Sequence, residues 1–72
     1  MVKKNKIKIK LNGKIISIDK GRNLEFLINK FKFPLNKIAI EKNHLIVQKK
    51  KIDKIILKAN DKIEIVHFIG GG

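Results

Sequence analysis

The sequence contains no cysteine, which excludes disulfides, thiolate metal sites, iron–sulfur clusters and cysteine nucleophiles together. Tryptophan and tyrosine are also absent and only four phenylalanines remain, so aromatic side chains on which nucleic-acid bases could stack are scarce. No apolar run approaches the roughly 20 residues of a membrane-spanning helix. The basic start MVKKNKIK is not followed by the apolar stretch of a secretory signal. We therefore expect no membrane partner and a reducing compartment, such as a cytosol or an organelle stroma.

Candidate catalytic side chains are few and separated along the chain. Ser17 is the only residue with a side-chain hydroxyl, and no histidine lies next to it. We expect His44 and His67 to lie apart, without the acidic neighbours that would complete a metal site. The six carboxylates fall at positions typical of caps, turns and solvated faces: Asp19, Glu25, Glu41, Asp53, Asp61 and Glu64. The sequence predicts no catalytic residue, no metal and no bound cofactor, and hence no enzyme.

Positive charge dominates the composition, with 18 basic and 6 acidic residues and a net charge of +12. All of the basic residues but Arg22 are lysines, although arginine is preferred for bidentate phosphate and base contacts. Lysine, isoleucine and asparagine share A/T-rich codons, so codon bias that fills solvated positions explains the charge. The alternative is a small domain that binds nucleic acid or another polyanion, with affinity that falls steeply with salt.

The first third of the sequence predicts a β-hairpin. Residues 6–11 read KIKIKL, the strict alternation of a strand with one buried face. Asn12-Gly13 is the strongest short hairpin-turn pattern, and residues 14–18 are expected to form the second strand of the hairpin. With a two-residue loop Ile9 lies opposite Ile16, so the turn register agrees with the apolar pattern.

A helix and further strands follow the hairpin. Asn23 is a good N-cap, and the apolar residues after it have helical spacing over 8 to 10 residues: Leu24, Leu27, Ile28 and Phe31. Phe33-Pro34 ends the helix. Short strands are expected at residues 38–41 and 45–47, an unassigned apolar stretch at 52–57, and a last strand at 62–68 with Ile63 and Ile65 on the core.

The order of these elements predicts an α+β fold. A hairpin, a crossover helix and later strands give a mixed sheet of four to five strands with one helix across it. This is a β-grasp, ubiquitin-like arrangement, in which the right-handed crossover rule places the last strand parallel to the first. At 72 residues the chain is expected to form one domain, residues 1–72.

Three glycines, Gly70, Gly71 and Gly72, stand directly after the last predicted strand. Glycine has no Cβ and presents a slim backbone, so residues 69–72 are expected to form a flexible tail. Such a tail can thread into the narrow tunnel of another enzyme and deliver the α-carboxylate of Gly72 to a reactive centre. The reactive group is then a main-chain carboxylate, and no side chain needs to be catalytic.

Four segments carry a family resemblance: KIKLNGK at 8–14, GRNLEFLI at 21–28, IAIEKNHLIV at 38–47 and DKIEIVHFIGGG at 61–72. Together they resemble the ThiS family of sulfur carriers in thiamine biosynthesis. The resemblance implies that an E1-like adenylating enzyme (ThiF) uses ATP to adenylate the Gly72 carboxylate. It further implies that the adenylate becomes a thiocarboxylate with sulfur from a donor protein, and that thiazole synthase (ThiG) receives this sulfur. The expected location is the bacterial cytoplasm or the plastid stroma.

The sequence departs from the family at three places. Asn60 stands where many members have glycine before the acidic turn residue, but asparagine also adopts positive φ. Asn43-His44 replaces the common Asn-Gly of the second hairpin. Gln48-Lys49 replaces a common Pro-Arg, which leaves open any contact that this arginine makes.

Val66 and Phe68 fall on the outer face of the last strand, directly before the glycines. An apolar pair at this position is a candidate docking patch for the adenylating enzyme. The alternative is that Phe68 folds onto the edge of the sheet. The resemblance also leaves two related functions open, a molybdopterin-synthase small subunit and a ubiquitin-like protein modifier.

Overall fold

The computed structural model describes residues 5–68 of the 72-residue chain. The predicted tail at residues 69–72, with its three glycines, lies outside the described residues.

The predicted hairpin is confirmed, with β1 at Lys6–Leu11 and β2 at Lys14–Asp19. The strands are antiparallel, and Ile9 lies opposite Ile16 as the turn pattern predicts. The turn residues Asn12 and Gly13 have φ values of 49° and 84°. Two positive φ values are the geometry of a type I′ turn, whose twist matches that of the two strands.

The α-helix α1 spans Leu24–Lys30 and is shorter than predicted. Asn23 caps it as expected, because its Oδ1 accepts a hydrogen bond from the Phe26 backbone N–H at 2.8 Å. The helix ends in a Schellman motif: Lys32 has a φ of 56°, and the Phe33 N–H donates to the Ile28 carbonyl at 3.0 Å.

Phe31, the last residue of the predicted helical spacing, is 43% exposed. Leu24, Leu27 and Ile28 are buried as predicted. Phe31 is the C-cap, where the chain leaves helical geometry, so its side chain no longer follows the helical spacing.

The remaining strands are β3 at Ile38–Lys42, β4 at Leu45–Ile46 and β5 at Lys62–His67. They complete a five-stranded sheet in the order β2-β1-β5-β3-β4. β5 is parallel to β1, as the crossover rule predicts, and it is antiparallel to β3. Two 3₁₀ helices, Leu35–Lys37 and Lys49–Lys54, connect these elements, and no helix among residues 5–68 is long and apolar enough to cross a membrane.

One hydrophobic core lies between α1 and the inner face of the sheet. Ile63 and Ile65 of β5 belong to it, with exposures of 0% and 6%. The unassigned apolar stretch forms part of the second 3₁₀ helix and the segment after it, and contributes Ile52 and Leu57 to the core. Leu57 is 2% exposed, so it takes no part in an outer-face patch.

Candidate functional site

The end of β5 presents the two predicted docking residues to solvent. Val66 is 58% exposed and Phe68 is 43% exposed. Val66 lies opposite Ala39 of β3, whereas the pairing of β5 with β1 stops at Ile63. β5 therefore extends past the β1–β2 turn, and Val66 has a strand neighbour on one side only. We call the exposed pair Val66 and Phe68 the docking patch.

Phe68 is held in place by two contacts although much of its ring is exposed. Its backbone N–H donates to the Lys37 carbonyl at 3.1 Å, which continues the pairing beyond β5. The Lys49 ammonium lies 5.1 Å from the centre of the Phe68 ring, within cation–π range. The ring is therefore partly packed at the edge of the sheet, and the rest of its surface is exposed to solvent. Lys49 is the residue that replaces the arginine expected from the family resemblance.

β5 is held in place by side chains of both hairpin turns and of Asp61, the residue directly before the strand. Asn12 Oδ1 accepts a hydrogen bond from the Ile65 backbone N–H at 2.7 Å. Asn43 Oδ1 accepts one from the Lys62 N–H at 2.8 Å. Asp61 accepts from Asn43 Nδ2 at 3.0 Å and from the Lys58 N–H at 2.8 Å. These four side-chain bonds position the strand that carries the docking patch.

Replacing Asp61 by alanine is expected to destabilise the protein by about 2 kcal/mol, because two donors lose their acceptor at a site that is only 7% exposed. The free energy of unfolding from urea titration measures this change. The matched control is Asp53→Ala, which removes an exposed carboxylate and is expected to change stability by less than about 0.5 kcal/mol. Equal losses in the two variants would contradict the role given to Asp61.

The turn before β5 keeps the geometry that the sequence predicts. Asn60 has a φ of 72°, so asparagine supplies the left-handed conformation in place of glycine. His44 likewise has a φ of 71° in the two-residue turn between β3 and β4. That turn is Asn43-His44, the pair that stands at the Asn-Gly position of the family's second hairpin.

The prediction that His44 lies apart from acidic residues is wrong. Ligand atoms of His44, Glu41 and Glu64 all lie within 4.8 Å of one another. Glu41 and Glu64 are cross-strand partners on β3 and β5. Because they are far apart in the sequence, the sequence alone did not indicate that they meet. Ile46 lies opposite Glu41 on β4 and is 72% exposed. The sequence pattern did not indicate this exposed apolar side chain.

The sequence profile of the ThiS family matches residues 6–72, which is nearly the whole chain and includes all three final glycines. The chain belongs to the ThiS family. This is a family of small sulfur carriers in thiamine biosynthesis. Membership of a family of small sulfur carriers is consistent with the expectation that this protein is not an enzyme.

Three relatives illustrate the family. A thiazole synthase of Magnetococcus marinus is 39% identical over 66 residues, which cover 92% of this chain but only 20% of that protein. An uncharacterised protein ycf40 of Trieres chinensis is 40% identical over 86% of this chain and 85% of its own length. The sulfur carrier protein ThiS of Bacillus subtilis is 32% identical over 89% of this chain and 98% of its own length.

The fold agrees with the family. The crystal structure of the thiamine biosynthesis protein ThiS from Geobacter metallireducens superposes with a TM-score of 0.79 at 25% identity. The match covers 92% of this chain and 100% of that chain. The β-grasp arrangement predicted from the order of elements is therefore confirmed.

Proposed function

We propose that this protein carries sulfur as a thiocarboxylate on Gly72 for thiazole formation in thiamine biosynthesis. A Gly72 carboxylate oxygen attacks the α-phosphate of ATP, and pyrophosphate leaves. A hydrosulfide equivalent supplied by a donor protein then attacks the carbonyl carbon. The bond from this carbon to the phosphate oxygen breaks, and AMP leaves with the electron pair. Adenylation is needed because AMP is a far better leaving group than an oxide ion. The protein itself binds no cofactor, since ATP belongs to the partner.

The family match through Gly70–Gly72 is the observation that carries this proposal. The arrangement of β5 supports it, because the strand projects the docking patch at the end from which the chain leads to the glycines. Gly70 and Gly71 are proposed to thread into the partner, where side chains would obstruct a narrow tunnel. Val66 and Phe68 are proposed to contact the adenylating enzyme.

The proposed partners are an E1-like adenylating enzyme (ThiF), a sulfur donor protein and thiazole synthase (ThiG). The thiazole synthase of Magnetococcus marinus contains a segment similar to this chain, and this chain spans about a fifth of its length. A carrier-like segment within a thiazole synthase favours transfer of sulfur between these two components. It also favours thiazole formation over the molybdopterin and modifier alternatives. We propose the bacterial cytoplasm or the plastid stroma as the location.

Intact mass after incubation with an adenylating enzyme, ATP and a sulfur donor tests the proposal. Exchange of one oxygen for sulfur is expected to add nearly the mass of one oxygen atom to the chain. Oxidation of Met1 to its sulfoxide adds a similar mass. Alkylation with a thiol-directed reagent, followed by fragment masses, assigns the change to Gly72 or to Met1. The same spectrum of untreated protein establishes that the chain ends at Gly72.

The reaction without ATP is the control and is expected to leave the mass unchanged. Sulfur that arrives at any residue other than Gly72 would contradict the proposal. So would an unmodified chain in a reaction where a ThiS protein of established activity acquires sulfur.

A further inference from the structure

Among residues 5–68, the outer face of the sheet carries one pair of carboxylates on directly opposite strand positions. Glu41 and Glu64 lie directly opposite each other on β3 and β5. Like charges at such positions repel and destabilise a sheet. The chain has 17 lysines, yet both ion pairs found within residues 5–68 are formed by Asp19. Neither glutamate has a cationic side chain within 4.0 Å among these residues.

His44 is brought to the same place by the adjacent turn. The β3–β4 connection has two residues, with φ values of 53° at Asn43 and 71° at His44. Glycine occupies the second position of such a turn without strain, whereas a side chain there meets a conformational cost. The sequence places an imidazole at this position, and one of its nitrogens lies within 4.8 Å of both carboxylates.

We propose that Glu41, His44 and Glu64 form a binding site for Zn²⁺. Imidazole nitrogen and carboxylate oxygen are established zinc ligands, and three protein ligands leave one tetrahedral position for water. Ligands of a tetrahedral zinc ion at normal bond lengths lie about 3.4 Å apart. The three side chains are half-buried or exposed, so an ion from solvent can reach them, and its binding would draw their ligand atoms together from the present spacing.

The chemistry of the ligand set favours zinc over the hard cations. Magnesium and calcium prefer oxygen ligands, whereas imidazole suits zinc and its neighbours among the transition metals. The ion would replace repulsion between two carboxylates by attraction of both to one centre. It would also fix the β3–β4 turn to β5, two residues before Val66.

Calorimetric titration of the untagged full-length chain with zinc chloride, in a buffer that does not chelate zinc, tests this site. The wild-type chain is expected to bind one ion, with changes in the His44 ring resonances in NMR spectra. His44→Gly removes the imidazole while keeping a residue suited to the turn, and is expected to weaken binding at least about tenfold. Glu64→Gln keeps the shape of the side chain and is expected to weaken binding to a similar extent.

His67→Gln is the matched control, because it removes the other histidine, whose ring contacts Phe33 rather than the glutamates. It is expected to bind zinc as the wild-type chain does. Absence of one-to-one binding to the wild-type chain, or an equal loss in His67→Gln and His44→Gly, would overturn the proposal. The titration needs no ATP, glycine chemistry or partner enzyme, so its outcome is independent of the test for sulfur transfer.

Discussion

Removal of Gly71 and Gly72 is expected to abolish thiocarboxylate formation while the domain remains folded. The proposed reaction occurs at the carboxylate of Gly72, and a chain that ends at Gly70 presents its carboxylate two residues short of the partner's reactive centre. Fully extended, two residues span about 7 Å, far more than the roughly 3 Å within which reacting atoms must meet. Intact mass after incubation with adenylating enzyme, ATP and sulfur donor measures the loss.

The folded domain provides the control for this truncation. The core and all the hydrogen bonds described above lie within residues 5–68, so the free energy of unfolding is expected to change by less than about 0.5 kcal/mol. Removal of residues 2–4 shortens the opposite end of the chain and is expected to leave sulfur acquisition intact. A chain without its last two glycines that still acquires sulfur would refute the assignment of Gly72.

Val66→Asp is expected to lower kcat/KM for adenylation by at least about tenfold, which corresponds to about 1.4 kcal/mol of lost interaction. Val66 is 58% exposed at the end of β5, so its apolar surface is free to be buried against a partner. An aspartate there would lose that burial and bring a charge into a desolvated contact. Initial rates of pyrophosphate release at several carrier concentrations measure the change.

Ile15→Asp is the matched control for Val66→Asp. Ile15 is 65% exposed and lies on β2, at the edge of the sheet and separated from β5 by β1. The same chemical change there is expected to leave kcat/KM within about twofold of the wild-type value. Equal losses in the two variants, with both folded by circular dichroism, would refute a docking patch at the end of β5.

Phe68→Asp extends the same experiment to the second residue of the patch. Its ring is 43% exposed and is contacted by Lys49, so the substitution removes both exposed apolar surface and a cation–π contact. Lys49→Gln removes the cation and keeps the ring. If Phe68 acts by docking, Lys49→Gln is expected to retain more of kcat/KM than Phe68→Asp does.

The sequence by itself determined the local elements. Strict alternation around Asn12-Gly13 predicted the first hairpin with its register, because turn geometry and apolar spacing specify the same pairing. Asn23 predicted the start of α1, because its side chain caps a backbone N–H three residues away. The order of elements and the handedness of crossovers then predicted the parallel pairing of β1 with β5.

Only the tertiary structure decided which residues meet across strands. Glu41 and Glu64 are 23 positions apart in the sequence, and their contact depends on the register of β3 against β5. Nothing local specifies that register, because it follows from the burial of Ile40 and Ile65 on the opposite face. The contact of Lys49 with Phe68 likewise depends on where the second 3₁₀ helix packs. Side-chain patterns act over a few residues, whereas a site is assembled by the packing of the whole core.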